Sequence, residues 1–306
     1  MNIIPISKAA EDELHYIEGR QSGKIKSLAT AWPRFNNVYM QGLEWGWIVL
    51  IGGLSGSGKT ALLNMLETDL VDLNKDQDIQ VLSFNFEMLA RRLVGRKISH
   101  ALKKSVKEVY SAEGTLSQTD LAEVRKQIEE YSKLPIDYVE IPGTPKEMGD
   151  LIVKYIKERI KPKNKGLVVT LDHSLLVRKQ GDERETLVEL ASILNTIKKL
   201  YPKVLFVVLS QLNRKIEEEG RRSVYGNQKI LQFPVKGDIF GSDALYQFSD
   251  AVIVPHRPEL LGIQSYGPEG WPTGDIIYVH HLKTRDGEPQ ITRFRNLLKY
   301  NRLEEI

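Results

Sequence analysis

The stretch "WIVLIGGLSGSGKTALL", residues 47–63, constrains this chain more than any other. Its first half is an unbroken apolar run, which reads as a strand buried on both faces. Its second half opens a leucine-rich helix. Between them Gly53, Gly58, Lys59 and Thr60 complete the pattern G-x-x-x-x-G-K-[ST], in the strand–loop–helix setting that the pattern requires. Backbone N–H groups of Gly53, Ser55, Gly56, Ser57 and Gly58 are expected to turn onto phosphate oxygens, helped by the positive end of the helix. Lys59 should reach the β- and γ-phosphates, and Thr60 should ligate Mg²⁺. ATP and Mg²⁺ are therefore the expected cofactors. What the triphosphate does here must come from the rest of the chain.

The rest alternates. Leu62, Leu66, Leu70 and Leu73 line one side of the helix after the loop, and "IQVLSF" is a second strand. Helical patterns follow around 88–104 and 119–132, then the strand "IDYVEI", a "PGTP" turn and a helix over 146–160. "LVVTLD", a helix over 184–200 and "VLFVVLS" complete the run. Continuous apolar strands separated by helices predict an α/β fold, a mostly parallel twisted sheet with helices on both faces. Residues 214–238, polar and rich in Lys and Arg, read as a long mobile loop. Strands return at "AVIVP" and "IIYVHHL", and "PQITRF" closes a C-terminal hairpin around "DGE". A charged helix over 7–20, with Ala10, Leu14 and Ile17 as a narrow seam, precedes all of this. It is too short to stand alone, so it frays or docks. The domain reading is an N-terminal helix and extended segment over 1–30 and one large α/β domain over 31–306.

Composition removes several classes. With no cysteine among 306 residues, disulfides, thiolate metal sites and cysteine catalysis are excluded. No apolar run approaches the roughly 20 residues of a membrane span, and no secretion signal opens the chain. The expected compartment is the cytoplasm. A net charge of +3 permits nucleic-acid contact without arguing for it.

Five further positions carry chemistry. Asp172 ends the strand "LVVTLD", where parallel sheets place their ligands, and suits a second Mg²⁺ contact. Glu87, in "SFNFEM", either orients the attacking water or merely complements a helix dipole. Gln211, in "LSQLNR", either contacts the γ-phosphate or bonds local backbone. Lys283 and Arg285, in "KTRDG", lie two apart on a strand and point the same way. They are either an anion-binding pair or solvated edge charges. His280 and His281 have no ligand cluster around them, so no metal is assigned there.

Taken in order, "GLSGSGKTALL", "SFNFEM", "LVVTLDHSLLV", "LSQLNR", "DIFGSDALYQFSDAVIV", "HRPE" and "KTRDGEP" resemble the replicative helicases of the DnaB type. These are hexameric RecA-like motors, which also include phage primase-helicases and the mitochondrial Twinkle helicase. "SLATAWPRFNNVYMQGLEWGWIVLIGG" resembles the same family's approach to the motor, and the likeness runs over residues 10–295. It implies a RecA-like core, an ATP-dependent DNA helicase translocating on single-stranded DNA, and ATP sites at the subunit interfaces of a homo-oligomer, expected to be a hexamer. Glu87 becomes the water-activating base, Asp172 the Mg²⁺-linked acid and Gln211 the γ-phosphate sensor. Lys283 and Arg285 become finger residues for the neighbouring subunit's ATP. The 214–238 stretch lies where the family puts a DNA loop, with Arg214, Lys215, Arg221, Arg222, Lys229 and Lys236 as candidate contacts.

There are departures. The bacterial N-terminal domain that binds primase is expected to be missing, which puts a primase or helicase-loader partnership in doubt. "DIFGSDAL" has Phe240 and Gly241 where the bacterial pattern carries arginine and glutamate, and is closer to the phage-like branch. Two other readings share the fold: a filament-forming RecA-type strand-exchange ATPase, and an accessory ATP-binding scaffold that moves nothing.

Overall fold

The computed structural model describes residues 3–179, 181–240 and 243–306. Gly241, one of the two departures from the bacterial pattern, lies outside the described residues. Helix α1 (Ile6–Gln21) forms where its seam predicts and stops at Ser22, before Gly23 in the left-handed region. None of its residues is buried, and Leu14 and Ile17 stay open to solvent. Arg20 fastens its end, donating to Ser27 Oγ at 3.0 Å, Glu44 Oε1 at 3.2 Å and Met40 O at 3.1 Å. Packing begins just beyond. Leu28 is fully buried and bridges to Leu43.

Helix α2 (Pro33–Val38) is not legible in the sequence. Its first N–H groups are capped from far away: Arg34 N and Phe35 N each donate at 2.7 Å to the Glu305 carboxylate. Then comes the alternation: β1 (Ile48–Gly53), α3 (Lys59–Leu73), β2 (Ile79–Asn85), α4 (Ala90–Leu102), α5 (Val106–Val109), α6 (Gln118–Tyr131) and β3 (Ile136–Val139). It continues with α7 (Pro145–Tyr155), β4 (Gly166–Asp172), α8 (Glu183–Leu200) and β5 (Val204–Gln211). Helices α6 and α7 start at capping boxes, Ser117 with Asp120 and Thr144 with Glu147, which satisfy N–H groups that a helix cannot bond internally.

The last third holds α9 (Glu219–Arg222), α10 (Asp243–Phe248), β6 (Ala251–His256), a two-residue ribbon β7 (Ser265–Tyr266) and β8 (Trp271–Pro272), β9 (Ile276–Thr284), β10 (Gln290–Leu297) and β11 (Arg302–Glu305). The main sheet runs β11-β10-β9-β6-β1-β5-β4-β2-β3. From β6 to β3 all pairings are parallel, and β9, β10 and β11 add an antiparallel flank. Alternate residues of β1 serve opposite faces. Val49 and Ile51 pack with Leu62, Leu66 and Leu70 of α3 and with Phe35 and Phe294, while Ile48 and Leu50 pack with Ile152, Leu190 and Leu194. Leu73, expected on the same side of α3, turns outward.

The stretch 214–238 differs from the expected open loop. It folds as short helical turns, Arg214–Glu217, α9, Gly226–Gln232 and Lys236–Asp238. Its buckle is Arg221, which pairs with Asp238 and donates to the carbonyls of Leu231, at 2.8 Å, and Phe233. Phe233 stacks on Trp271, ring centres 5.7 Å apart. These contacts join residues distant in sequence, so no local pattern announces them.

Candidate active site

Strand β1 delivers the chain to the loop, and the loop's shape excludes side chains. A Cβ at Gly53 would run into Ser57 Oγ. Gly58, which caps α3, has φ of 100°, a conformation strained for any other residue. Ser57 is buried beneath the cradle, and its Oγ has no hydrogen-bond partner. Ser55, Gly56, Gly58, Lys59 and Thr60 line a cleft of about 400 Å³, together with Glu87, Arg96, His173, Gln211, Arg257 and Asn301. The Lys59 ammonium folds onto the loop's own carbonyls, Gly53 O at 2.7 Å and Leu54 O at 2.8 Å. Burial lowers it to about 8, opposed by Asp172 and Glu87.

Asp172 closes β4, and Thr60 Oγ1 donates to its Oδ2 at 3.0 Å. Burial pushes the Asp172 carboxyl up to about 6, against the pull of that hydroxyl. A hydroxyl and a carboxylate this close are hard oxygen donors of the kind Mg²⁺ takes. Glu87 is the exposed acid of the cleft, its side chain 57% accessible, with Oε2 at 4.0 Å from His173 Nε2. His173 Nε2 also lies 3.4 Å from the Gln211 amide. Since His173 Nδ1 accepts from Leu175 N at 3.2 Å, the neutral ring carries its proton on Nε2, facing both groups. Burial lowers the His173 pKa, which keeps the ring neutral.

Glu87, Lys59, Thr60, Asp172 and Gln211 thus lie together at one edge of the sheet. Other residues of the cleft escaped the reading of the sequence, three of them charged or titratable. His173 directly follows the strand-end acid, which is the signal that could have found it. Arg96, on α4, lines the cleft, where burial lowers its pKa against the charges of Asp172 and Glu87. Arg257, in "HRPE", donates to Gly56 O at 2.9 Å and so braces the loop.

Lys283 and Arg285 lie elsewhere. Val49 pairs with Ala251, and Ala251 with Thr284, so both cations sit at the edge where the parallel strands begin. The cradle is at the other edge, about 16 Å away for a five-residue strand rise. Arg285 Nε donates to Asp250 Oδ1 at 2.8 Å. Lys283 Nζ donates to Tyr246 O at 2.9 Å and Gln247 O at 3.1 Å, carbonyls at the end of α10. His280 and His281 are buried and bonded, to Tyr266 OH and Tyr39 OH, each at 2.7 Å.

The candidate DNA segment begins and ends beside Gln211. Phe240 N donates to Gln211 O at 2.9 Å, and Leu212 bridges to Ile239. Arg214, Lys215 and Arg222 are exposed, and Lys229 donates to Ser265 Oγ at 2.9 Å. Arg221 is turned inward as the buckle, and Lys236 lies against the Tyr246 ring.

The DnaB-like helicase C-terminal domain family matches residues 27–305. No curated protein sequence matches the chain. Among solved structures, an isolated ATPase domain is 19% identical, with TM-score 0.81 and full coverage of both chains. A DnaB-like replicative helicase, described with its interactions with primase, is 19% identical with TM-score 0.77, over 96% of this chain and 66% of that one. The KaiC-like protein PH0186 from Pyrococcus horikoshii is more distant, 16% identical with TM-score 0.54, covering 92% of this chain and 99% of that one. At such identities these structures speak for the fold, a RecA-like ATPase core. Among the described residues no helix is long and apolar enough to cross a membrane.

Proposed function

This chain belongs to the DnaB-like helicase C-terminal domain family, whose activity is ATP-driven DNA unwinding in replication, and we propose that its ATP site is completed by a second copy. The observation that carries this is the register of β6 and β9. It holds Lys283 and Arg285 at the sheet edge opposite their own cradle, out of reach of their own phosphates. Two cations with no phosphate to serve in their own subunit suit the γ-phosphate of a neighbour in a ring, a homo-oligomer of six in the family's usual form.

Within one subunit the loop N–H groups and Lys59 bind and orient the triphosphate. Thr60 and Asp172 would hold Mg²⁺, which when bound neutralises charge on the phosphates. Glu87 orients and deprotonates the attacking water, Gln211 contacts the γ-phosphate, and residues 213–239, rooted beside Gln211, carry its state to DNA. The exposed cations Arg214, Lys215 and Arg222 suit the backbone of single-stranded DNA, which a motor must grip without reading sequence. Residues 1–30 are the linker, with the open seam of α1 facing another copy or a partner such as primase or a loader.

Mixing subunits tests the shared site. Lys59→Ala and Arg285→Ala should each abolish DNA-stimulated ATPase alone. Combined, they should recover turnover, because each supplies what the other lacks at mixed interfaces. No recovery in mixed rings, or full turnover by Arg285→Ala alone, would sink the reading.

A further inference from the structure

Helix α10 lies in the chain between the candidate DNA segment and β6. Lys236, near the foot of the candidate DNA segment, holds its ammonium 5.1 Å from the centre of the Tyr246 ring. Lys283 holds its own 5.3 Å from the same centre. The two cations repel each other, and the electron-rich face of one ring gives both a common seat. Carbonyls at the end of α10 add a second attraction for Lys283, from Tyr246 O and Gln247 O. The Tyr246 hydroxyl reaches Leu282 O at 3.4 Å, the residue where the β6–β9 register slips. At the other end, Leu212 bridges to Ile239 and Phe240 N bonds Gln211 O, so Lys236 follows the chain that roots at the γ-phosphate contact.

We propose that Tyr246 is a positioning residue that relays movement of residues 213–239, at the ATP cleft or on DNA, to Lys283 and Arg285 at the far edge. A shift of Lys236 changes the occupancy of the shared ring, and Lys283 re-seats with it. The cations facing the neighbour's phosphate then feel what this subunit's cleft and DNA segment are doing. The relay rests on the proposed trans site. It touches no reacting atom itself, so its signature is loss of coupling, read as the ratio of DNA-stimulated to basal ATPase turnover.

The test compares that ratio in the full chain for wild type, Tyr246→Phe, Tyr246→Leu, Lys236→Met and the Tyr246→Leu/Lys236→Met double variant. Phe keeps the ring and should keep the ratio. Leu keeps the apolar packing and loses the π face, and the ratio should fall about fivefold, the size of effect an exposed cation–π pair supports. Lys236→Met should lower the ratio as well, and the double variant should lose less than the product of the two single losses, as residues that share a link do. A wild-type ratio in Tyr246→Leu, or losses that multiply in the double variant, would overturn the relay. Lys236 is exposed, so its variant carries the test should Tyr246→Leu fail to fold. Arg285→Ala separates the two levels. If it retains stimulated turnover, the trans site is wrong. If it is inactive while Tyr246→Leu behaves as wild type, only the relay is.

Discussion

Asp172 and Asp250 are both buried aspartates on the same sheet, and they are treated oppositely. Asp172, at the edge where β4 ends, has a single hydroxyl donor, from Thr60. Asp250, at the edge where β6 begins, has three: Ile48 N at 2.8 Å, Lys198 Nζ at 2.5 Å and Arg285 Nε at 2.8 Å. A buried carboxylate needs such partners to hold its charge. Asp250 is saturated and ties β1, β6, α8 and the "KTRDG" turn together. Asp172 is left short and accordingly titrates high. An undersupplied acid is what a cation site would need, whereas a saturated one suits a structural joint.

The largest effect should come from breaking the joint. Asp250→Ala leaves the part-buried Lys198 ammonium and Ile48 N–H without their partner, and thermal unfolding should show a loss of about 3–5 kcal/mol. A loss below about 1 kcal/mol would mean that the two acids are not distinct. Asp172→Asn should do the reverse in the absence of nucleotide. The folded Asp172 carboxyl titrates at about 6 against 3.8 for the ordinary group, so burying its charge costs stability at neutral pH. That cost is full above about pH 6 and vanishes as pH falls toward 4, because the folded chain then holds the proton. The Asn variant should gain about 1–3 kcal/mol at pH 7.5 and nothing near pH 4, while losing hydrolysis. The smallest effect separates structure from function on one carboxylate. Arg285→Ala removes an exposed partner of Asp250 and should cost at most about 1 kcal/mol in unfolding, although DNA-stimulated turnover disappears. A large stability loss there would make Arg285 part of the joint.

Much of this was written locally. Apolar strands, the glycine loop and the acid ending "LVVTLD" declare a parallel sheet with a phosphate edge, because each rests on neighbours in sequence. What stayed hidden depends on distant partners. Helix α2 is capped by Glu305, and residues 214–238 are shaped by Arg221 reaching Asp238 and by Phe233 stacking on Trp271. Arg96 joins the cleft only once α4 packs beside α3. "KTRDG" was legible as a cation pair, but its distance from the cradle needed the strand register.

The excursion beside Gln211 returns to the strand it left, with Leu212 against Ile239. Its half near Asp238 is locked by Arg221, whereas Tyr225 at its tip is 82% exposed. A closed foot fixes where the excursion leaves and rejoins the sheet, so changes in its length are taken up at the tip. Residues there can lengthen or change at about 0.6 kcal/mol per doubling of the loop. The foot beside Gln211 can thus keep its place while the exposed tip changes in length and sequence.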